Sequence, residues 1–440
     1  MKRTGTILLF TIAMWSLVHA QSADSPHGDL DSAPAQAVPD WAFSTNGDTQ
    51  SLALLSESKA NVLSGGFSLI GTYDDNALSS PGGGVGNAGM LLSPTVSVQQ
   101  SRSRTFLMFN YFPGFTLNDR LSPRYDVYHD LNSSLQFRLT EHATIRIQDS
   151  FLFGTSSFNR FVQEGSSVPD QNILHQSNPA TVTPLTSRLS NLGGADFMYR
   201  VAENTTIGVS ANFNNLHFLN RSSAAQLLDT QAQSADAVYQ EVLSEHHAIG
   251  LTYTYQYLTT FGAASEKTTA QSTLFFDSYS FSPKMTLALF VGPDRVSSDM
   301  LGNSRARWHA DGGLTFGWQG QSSSARIGFI HHVTDGGGLT GAVSTYSLVS
   351  GARQKLGSNW IANAEVIYGH NSPLETAFGP SFSSITSNVG LQREFGHQVV
   401  VAAAYGRDHQ SSASRSAFGV SNHNREWVSI SYRFQKPLGH

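Results

Sequence analysis

The chain has no cysteine in 440 residues. Disulfide frameworks, thiolate-bound metals and cysteine nucleophiles are therefore excluded, and stability must come from a large core or a closed, hydrogen-bonded sheet. Long hydrophobic runs are missing too. Beyond the N-terminal segment, apolar runs are short, the unbroken stretch Val399 to Tyr405 among them, or are broken by polar residues at alternate positions, whereas a membrane-spanning helix needs about 20. A helical membrane protein is excluded. Charge is sparse at 13%, low for a water-soluble domain. The formal net charge is only −5 and no Lys/Arg cluster recurs, which leaves nucleic acid without support as a partner.

The N-terminus reads as an export signal. Met1-Lys-Arg-Thr-Gly-Thr6 is a positive n-region, Ile7 to Val18 is an apolar h-region, and Val18-His19-Ala20 ends on a small residue suited to cleavage. A signal peptide over residues 1–20 is expected. Residues 21–61 carry Pro, Ala, Asp and Ser without a sustained period and are expected to form a periplasmic tail or partial plug.

Motifs that carry chemistry are scarce. Gly84-Val-Gly-Asn-Ala-Gly89 satisfies the G-x-G-x-x-G pattern of a dinucleotide site. That pattern cradles a pyrophosphate only where it opens a helix. Here it leads into Met90-Leu-Leu-Ser-Pro-Thr-Val-Ser-Val-Gln99, whose proline and period-two valines suit a strand, and no carboxylate follows in Ser101 to Asn110. The glycines are read as a surface loop. Ser56-Glu-Ser-Lys59 matches S-x-x-K but lacks its companion segments, and no G-x-S-x-G elbow exists. Of sixteen histidines, His246-His247 and His331-His332 are adjacent; strand neighbours point to opposite faces, so neither pair chelates one ion. No catalytic residue, metal site or cofactor is expected.

What is abundant is alternation. In His246-His-Ala-Ile-Gly-Leu-Thr-Tyr-Thr-Tyr-Gln-Tyr257, Ile249, Leu251, Tyr253, Tyr255 and Tyr257 share one face, and Gly250, Thr252, Thr254 and Gln256 the other. The same period of two recurs at Leu135, Phe137 and Leu139, at Ile145 and Ile147, at Ile207, Val209 and Phe213, at Leu314, Phe316 and Trp318, and at Val428, Ile430, Tyr432 and Phe434. The alternation at Ala232 to Leu243 is the weakest.

Short polar connections (Thr140-Glu-His142, Val201-Ala-Glu-Asn204, Leu243-Ser-Glu-His246, Ser282-Pro-Lys284, Gly320-Gln-Ser-Ser323, Leu356-Gly-Ser-Asn359, Phe395-Gly-His397) alternate with long ones. The long ones are expected near residues 74–89, 116–125, 155–186, 218–232, 293–306, 371–382 and 409–423, with shorter outliers near 261–267 and 334–340. Short turns on one side and long loops on the other mark an outer-membrane barrel. The expectation is an all-β, transmembrane, antiparallel up-and-down barrel of about 18 strands, 16–18 being compatible, over residues 62–434. Residues 435–440 form a C-terminal tail. Pro94, Pro113 and Pro283 are expected near strand ends or turns, where a missing N–H is tolerated.

Gly71-Thr-Tyr-Asp-Asp-Asn76, Ser93-Pro94, Tyr111-Phe-Pro-Gly-Phe115, Gln148-Asp-Ser-Phe151 and Phe290-Val-Gly-Pro-Asp294 resemble segments of a porin-2-like family of outer-membrane barrels related to those of exopolysaccharide operons. The likeness spans most of residues 62–434. It implies an outer-membrane pore with no catalytic residues, and barrel-assembly machinery as a partner. One departure is that Phe434, the aromatic end such machinery reads, is followed by Gln435-Lys-Pro-Leu-Gly-His440.

With apolar parity outward, Arg146, Gln148, Asp196, Arg200, His309, Asp311, Asn363, Glu365, Gln392, Glu394 and Arg433 are candidate lumen-lining residues. Both signs of charge are present, so pairing across the wall is as good a reading as solute selectivity. A barrel this wide leaves an aqueous channel unless something closes it, and the connection from Thr155 to Thr186 is the expected constriction. The expected function is a porin-like channel or export conduit for small hydrophilic solutes or polysaccharide, embedded in outer-membrane lipid. The alternatives are a closed structural or adhesion barrel with binding loops, and a barrel enzyme whose catalytic pair assembles at the rim.

Overall fold

The computed structural model describes residues 61–79, 84–158, 181–219, 227–262, 265–300, 303–375, 379–396, 398–412 and 421–438. The signal peptide, nearly all of the expected tail or plug, and Ser56 to Lys59 lie outside the described residues.

Alternation becomes strand throughout. The first six strands are β1 (Val62–Asp74), β2 (Asn87–Ser101), β3 (Thr105–Asn118), β4 (Tyr125–Arg138), β5 (Ala143–Phe158) and β6 (Val182–Ala202). The next six are β7 (Thr205–Phe218), β8 (Asp229–Ser244), β9 (His247–Phe261), β10 (Glu266–Ser282), β11 (Met285–Met300) and β12 (Asn303–Gln319). The last six are β13 (Ser323–Thr334), β14 (Val343–Leu356), β15 (Trp360–Pro373), β16 (Phe382–Phe395), β17 (Val399–Ser412) and β18 (Ser421–Pro437). Each pairs antiparallel with the next, and β1 also pairs with β18 from Val62↔Pro437 to Asp74↔Arg425. Among the described residues this is a closed 18-stranded up-and-down barrel without helix. Closure leaves no sheet edge, which lets a β-structure sit in hydrocarbon.

The two faces separate cleanly along most strands. Val428 is 60% exposed and the next residue, Ser429, 5%; Leu251 is 47% exposed and Thr252 8%. Outward phenylalanines, leucines and valines surround the wall, an apolar surface far larger than a protein in water tolerates. Tyr199, Phe281, Trp318, Trp360, Phe395 and Phe434 ring the end that carries the short turns, while Tyr73, Phe115, Tyr125, Trp308 and Tyr346 ring the other. Two aromatic girdles around an apolar band are the anchors of a bilayer-spanning barrel. The short-turn end, where β1 begins and β18 finishes, is therefore periplasmic.

Several boundaries differ from the expected ones. The stretch 293–306 is not a long loop, since β11 and β12 pair from Met285↔Trp318 all the way to Met300↔Asn303. Gly292, Pro293 and two serines imitate a connection there. The proline does leave a mark, because the β10–β11 ladder passes from Ser272↔Asp294 to Phe275↔Val291 without bridging at Pro293. Pro94 and Pro113 likewise sit inside β2 and β3, whose ladder jumps from Leu92↔Phe115 to Val96↔Tyr111. Asn87 to Gly89 of the glycine-rich motif are already strand, paired with β1. Thr155 to Phe158 and Val182 to Thr186 are also strand, leaving a shorter connection whose residues 159–180 lie outside the described residues. At the C-terminus Gln435 to Pro437 continue β18 against β1.

Candidate functional site

The interior is the candidate site, and its walls are built by cross-strand pairs. Arg146 on β5 and Asp196 on β6 are register partners; Arg146 Nε donates to Asp196 Oδ2 at 2.7 Å, and Nη2 lies at the same distance. The Asp196 side chain is only 3% exposed, so the guanidinium replaces most of its water. Gln148 lies two residues on, buried on the same face. Asn363 and Glu365 are buried on β15, with Arg326 of β13 3.7 Å from Glu365. Gln392 is buried on β16, and Glu394 follows it on the same face near the periplasmic rim. Arg200 and Arg433 are exposed at that rim. His309 and Asp311 share the inner parity of β12, and His309 Nε2 is buried without a partner among the described residues. The structure thus brings Arg146 to Asp196 and distributes the other candidates around the wall.

Other inner residues were not singled out by the sequence. Toward the extracellular end, Thr386 on β16 donates to Asp408 on β17, whose second carboxylate oxygen takes Arg425 Nε of β18 at 2.9 Å. His423 of β18 lies 3.1 Å from Asp74 of β1. These contacts link four neighbouring strands into one polar belt. Arg188 on β6 is buried, donates to Ser156 O and Thr183 Oγ1, and lies over the Phe218 ring. The interior also holds apolar groups, against the assignment of apolar parity outward. Val238, Phe276 and Phe290 form one inner cluster, and Ile70, Leu91 and Trp427 another.

One inward-packed segment among the described residues is one that sequence spacing did not point to. The β12–β13 ladder ends at Gly312↔His331, although β12 extends to Asn303. Above that level the β13–β14 hairpin leaves the wall and bends inward. Val333, paired with Ser344 on what would be the outer face, is 6% exposed and packs with Ala232, Leu258, Ala270 and Val296 on the inner faces of β8 to β11. The turn Asp335-Gly-Gly-Gly-Leu-Thr-Gly-Ala342 is buried throughout. Ala342 N donates to Glu266 Oε2 of β10 at 3.0 Å, Thr230 Oγ1 of β8 to Asp335 Oδ2 at 3.3 Å, and Leu228 N to Gly338 O at 2.8 Å. Leu339 joins Leu216, Phe218 and Leu227 from one side and Phe382 of β16 from the other. This strap touches both sides of the lumen. Its Gly338 has φ +84°, and a Cβ there would fall 2.5 Å from the Phe218 ring, so only glycine fits.

A second contact crosses the lumen near the same end. Gln410 of β17 takes the Val182 N–H on its Oε1 at 2.9 Å and returns Nε2 to Val182 O at 2.8 Å. The side-chain amide thereby mimics a strand neighbour for the first residue of β6. Of the paired histidines, His247 meets Asp277 at 3.0 Å, and His331 stacks on Tyr346 with 4.1 Å between ring centroids.

A closed, outwardly apolar barrel with girdles at both rims and a hydrogen-bonded polar interior is a transmembrane β-barrel of the outer membrane. No family model matches the chain, and no curated protein does. Among solved structures, Pseudomonas aeruginosa OccK2 (OpdF) aligns over 86% of this chain and 98% of its own, with 8% identity and a TM-score of 0.45. The FrpB iron transporter from Neisseria meningitidis (F3-3 variant) aligns over 88% and 83%, with 9% identity and a TM-score of 0.42. Pseudomonas aeruginosa OpdK with vanillate aligns over 85% and 99%, with 9% identity and a TM-score of 0.43.

Proposed function

We propose that this barrel is a porin-like channel for small hydrophilic solutes, held narrow by the strap at residues 335–342. The observation that carries the reading is the combination of a wall wide enough for an aqueous lumen with an inward hairpin tip attached to it by a few hydrogen bonds and the small apolar contacts of Val333, Leu339 and Ala342. A wall-integral plug would be laced by continuous ladders, whereas the strap has given up its own ladder to β12. The resemblance to barrels of exopolysaccharide operons extends the passenger class to polysaccharide, which requires the strap to withdraw. Outer-membrane lipid and barrel-assembly machinery are the partners this reading needs.

Planar-bilayer recording tests it. Wild-type protein gives low or intermittent conductance, and deletion of residues 336–341 gives a larger, steadier one. Absence of conductance from both proteins, each showing the heat-modifiable gel migration of a folded barrel, overturns the channel. The buried inner polar residues and the Gln410–Val182 bridge favour a second reading, a closed structural barrel presenting its long loops. That reading gains if loop-directed surface binding is found without conductance.

A further inference from the structure

We infer that the extracellular mouth carries a binding site for a small organic cation, an amine with an aromatic or short apolar body, on the inner faces of β1, β4, β16 and β18. The reading goes beyond conduction, because it concerns equilibrium occupancy of a built cavity. That cavity measures about 180 Å³ and is lined by Tyr128, Trp427, Asp74, Asp126, Asp130 and Asn388 among others. It lies below the range of roughly 300 Å³ at which drug-sized pockets begin, so its occupant has about one ring and a short side chain.

The aromatic platform is constructed. Tyr128 springs from β4, its ring covers Gly114 on β3, and its hydroxyl reaches Ser93 on β2 at 3.3 Å. A Cβ at Gly114 would lie 1.7 Å from that ring. Glycine there lets the ring lie flat along the wall, which turns a π-face to the lumen, the geometry a cation uses. Trp427 packs beside it, 92% buried on its 8% exposure, in the cluster with Ile70 and Leu91.

Charge selects the sign of the ligand. Asp74, Asp126 and Asp130 share the inner parity with Tyr128 and Trp427. The nearby cationic groups are already engaged, since Arg425 pairs with Asp408 at 2.9 Å and His423 faces Asp74 at 3.1 Å. Glu426 lines the cavity too, but its register with Tyr73 and Tyr405 puts its side chain on the outer wall. Asp126 has no hydrogen-bond or ionic partner among the described residues. Two further polar groups on lining residues are buried without a partner there, the acceptor Asn388 Oδ1 and the donor Trp427 Nε1. An ammonium satisfies Asp126 and Asn388 Oδ1.

Three probes that share a ring and differ in charge decide the matter: benzylammonium, benzyl alcohol and benzoate, titrated calorimetrically into the refolded full-length barrel at pH 7. Expected are saturable binding of benzylammonium, at least ten-fold weaker binding of benzyl alcohol and none of benzoate. In Asp126→Asn, which removes charge without breaking any contact within the protein, benzylammonium affinity falls at least five-fold, and in Tyr128→Leu it falls again. Gel migration and a β-sheet circular dichroism spectrum confirm that the variants are folded. The inference is overturned by equal affinity for the alcohol, by no saturable cation binding at millimolar concentration, or by unchanged affinity in folded Asp126→Asn. None of these outcomes depends on conductance, so failure here leaves the channel reading standing, and failure of the channel leaves this one standing.

Discussion

At Asp196 a carboxylate with 3% of its side chain exposed depends on one guanidinium, 2.7 Å away on the neighbouring strand. Removing one partner of such a pair strands the other charge in a poorly hydrated interior. Asp196→Ala is expected to cost about 3 kcal/mol in urea unfolding from lipid vesicles, whereas replacing both Asp196 and Arg146 by apolar residues of similar size costs much less. Gly338 poses the opposite problem, since it is valued for an atom it lacks. Gly338→Ala places a methyl group against Phe218 in a backbone conformation that L-residues avoid, so the strap shifts. Channel recordings should register that shift as a rise in open time, with a stability loss of about 1–3 kcal/mol. Residue types made Asp196 and Arg146 visible as inner-face candidates. Nothing local marked Gly338, because its neighbour Phe218 comes from a distant strand.

Among elements, the β13–β14 hairpin is the one whose position local sequence does not set. Its strands alternate like the others, and its turn is short, so it looks like an unremarkable connection. It folds inward because Leu339, Val333 and Ala342 find apolar company on the inner faces of β8 to β11, on β7 and on β16. Leu339→Asp would bury a charge in that company and should expel the tip. Limited proteolysis of reconstituted protein should then cut between residues 335 and 342, where the wild-type barrel resists. The prolines teach the complementary lesson. Pro94, Pro113 and Pro293 were expected at ends or in loops but lie within strands, because a long barrel strand survives a local gap in one ladder when its other ladder is intact.

For the whole molecule, the controlling quantity is the hydrocarbon around it. Tyr253 points outward near mid-height of β9, and Tyr253→Arg should lower folding stability in vesicles by about 2–4 kcal/mol, with a smaller effect for the same change at the rim residue Phe281. Equal costs at the two positions would remove the membrane from the account. The period of two and the alternation of connection lengths by themselves determined the class of fold, the strand number to within about two, and the side facing lipid, because each is written in consecutive residues. Only the tertiary structure decided what lies inside. Gln410 meets Val182, separated from it by 228 positions, the strap meets Phe218 and Phe382, and Tyr128 meets Trp427 across β1, β2 and β3. Parity says that a side chain points inward, but closure of the ring decides what it meets there.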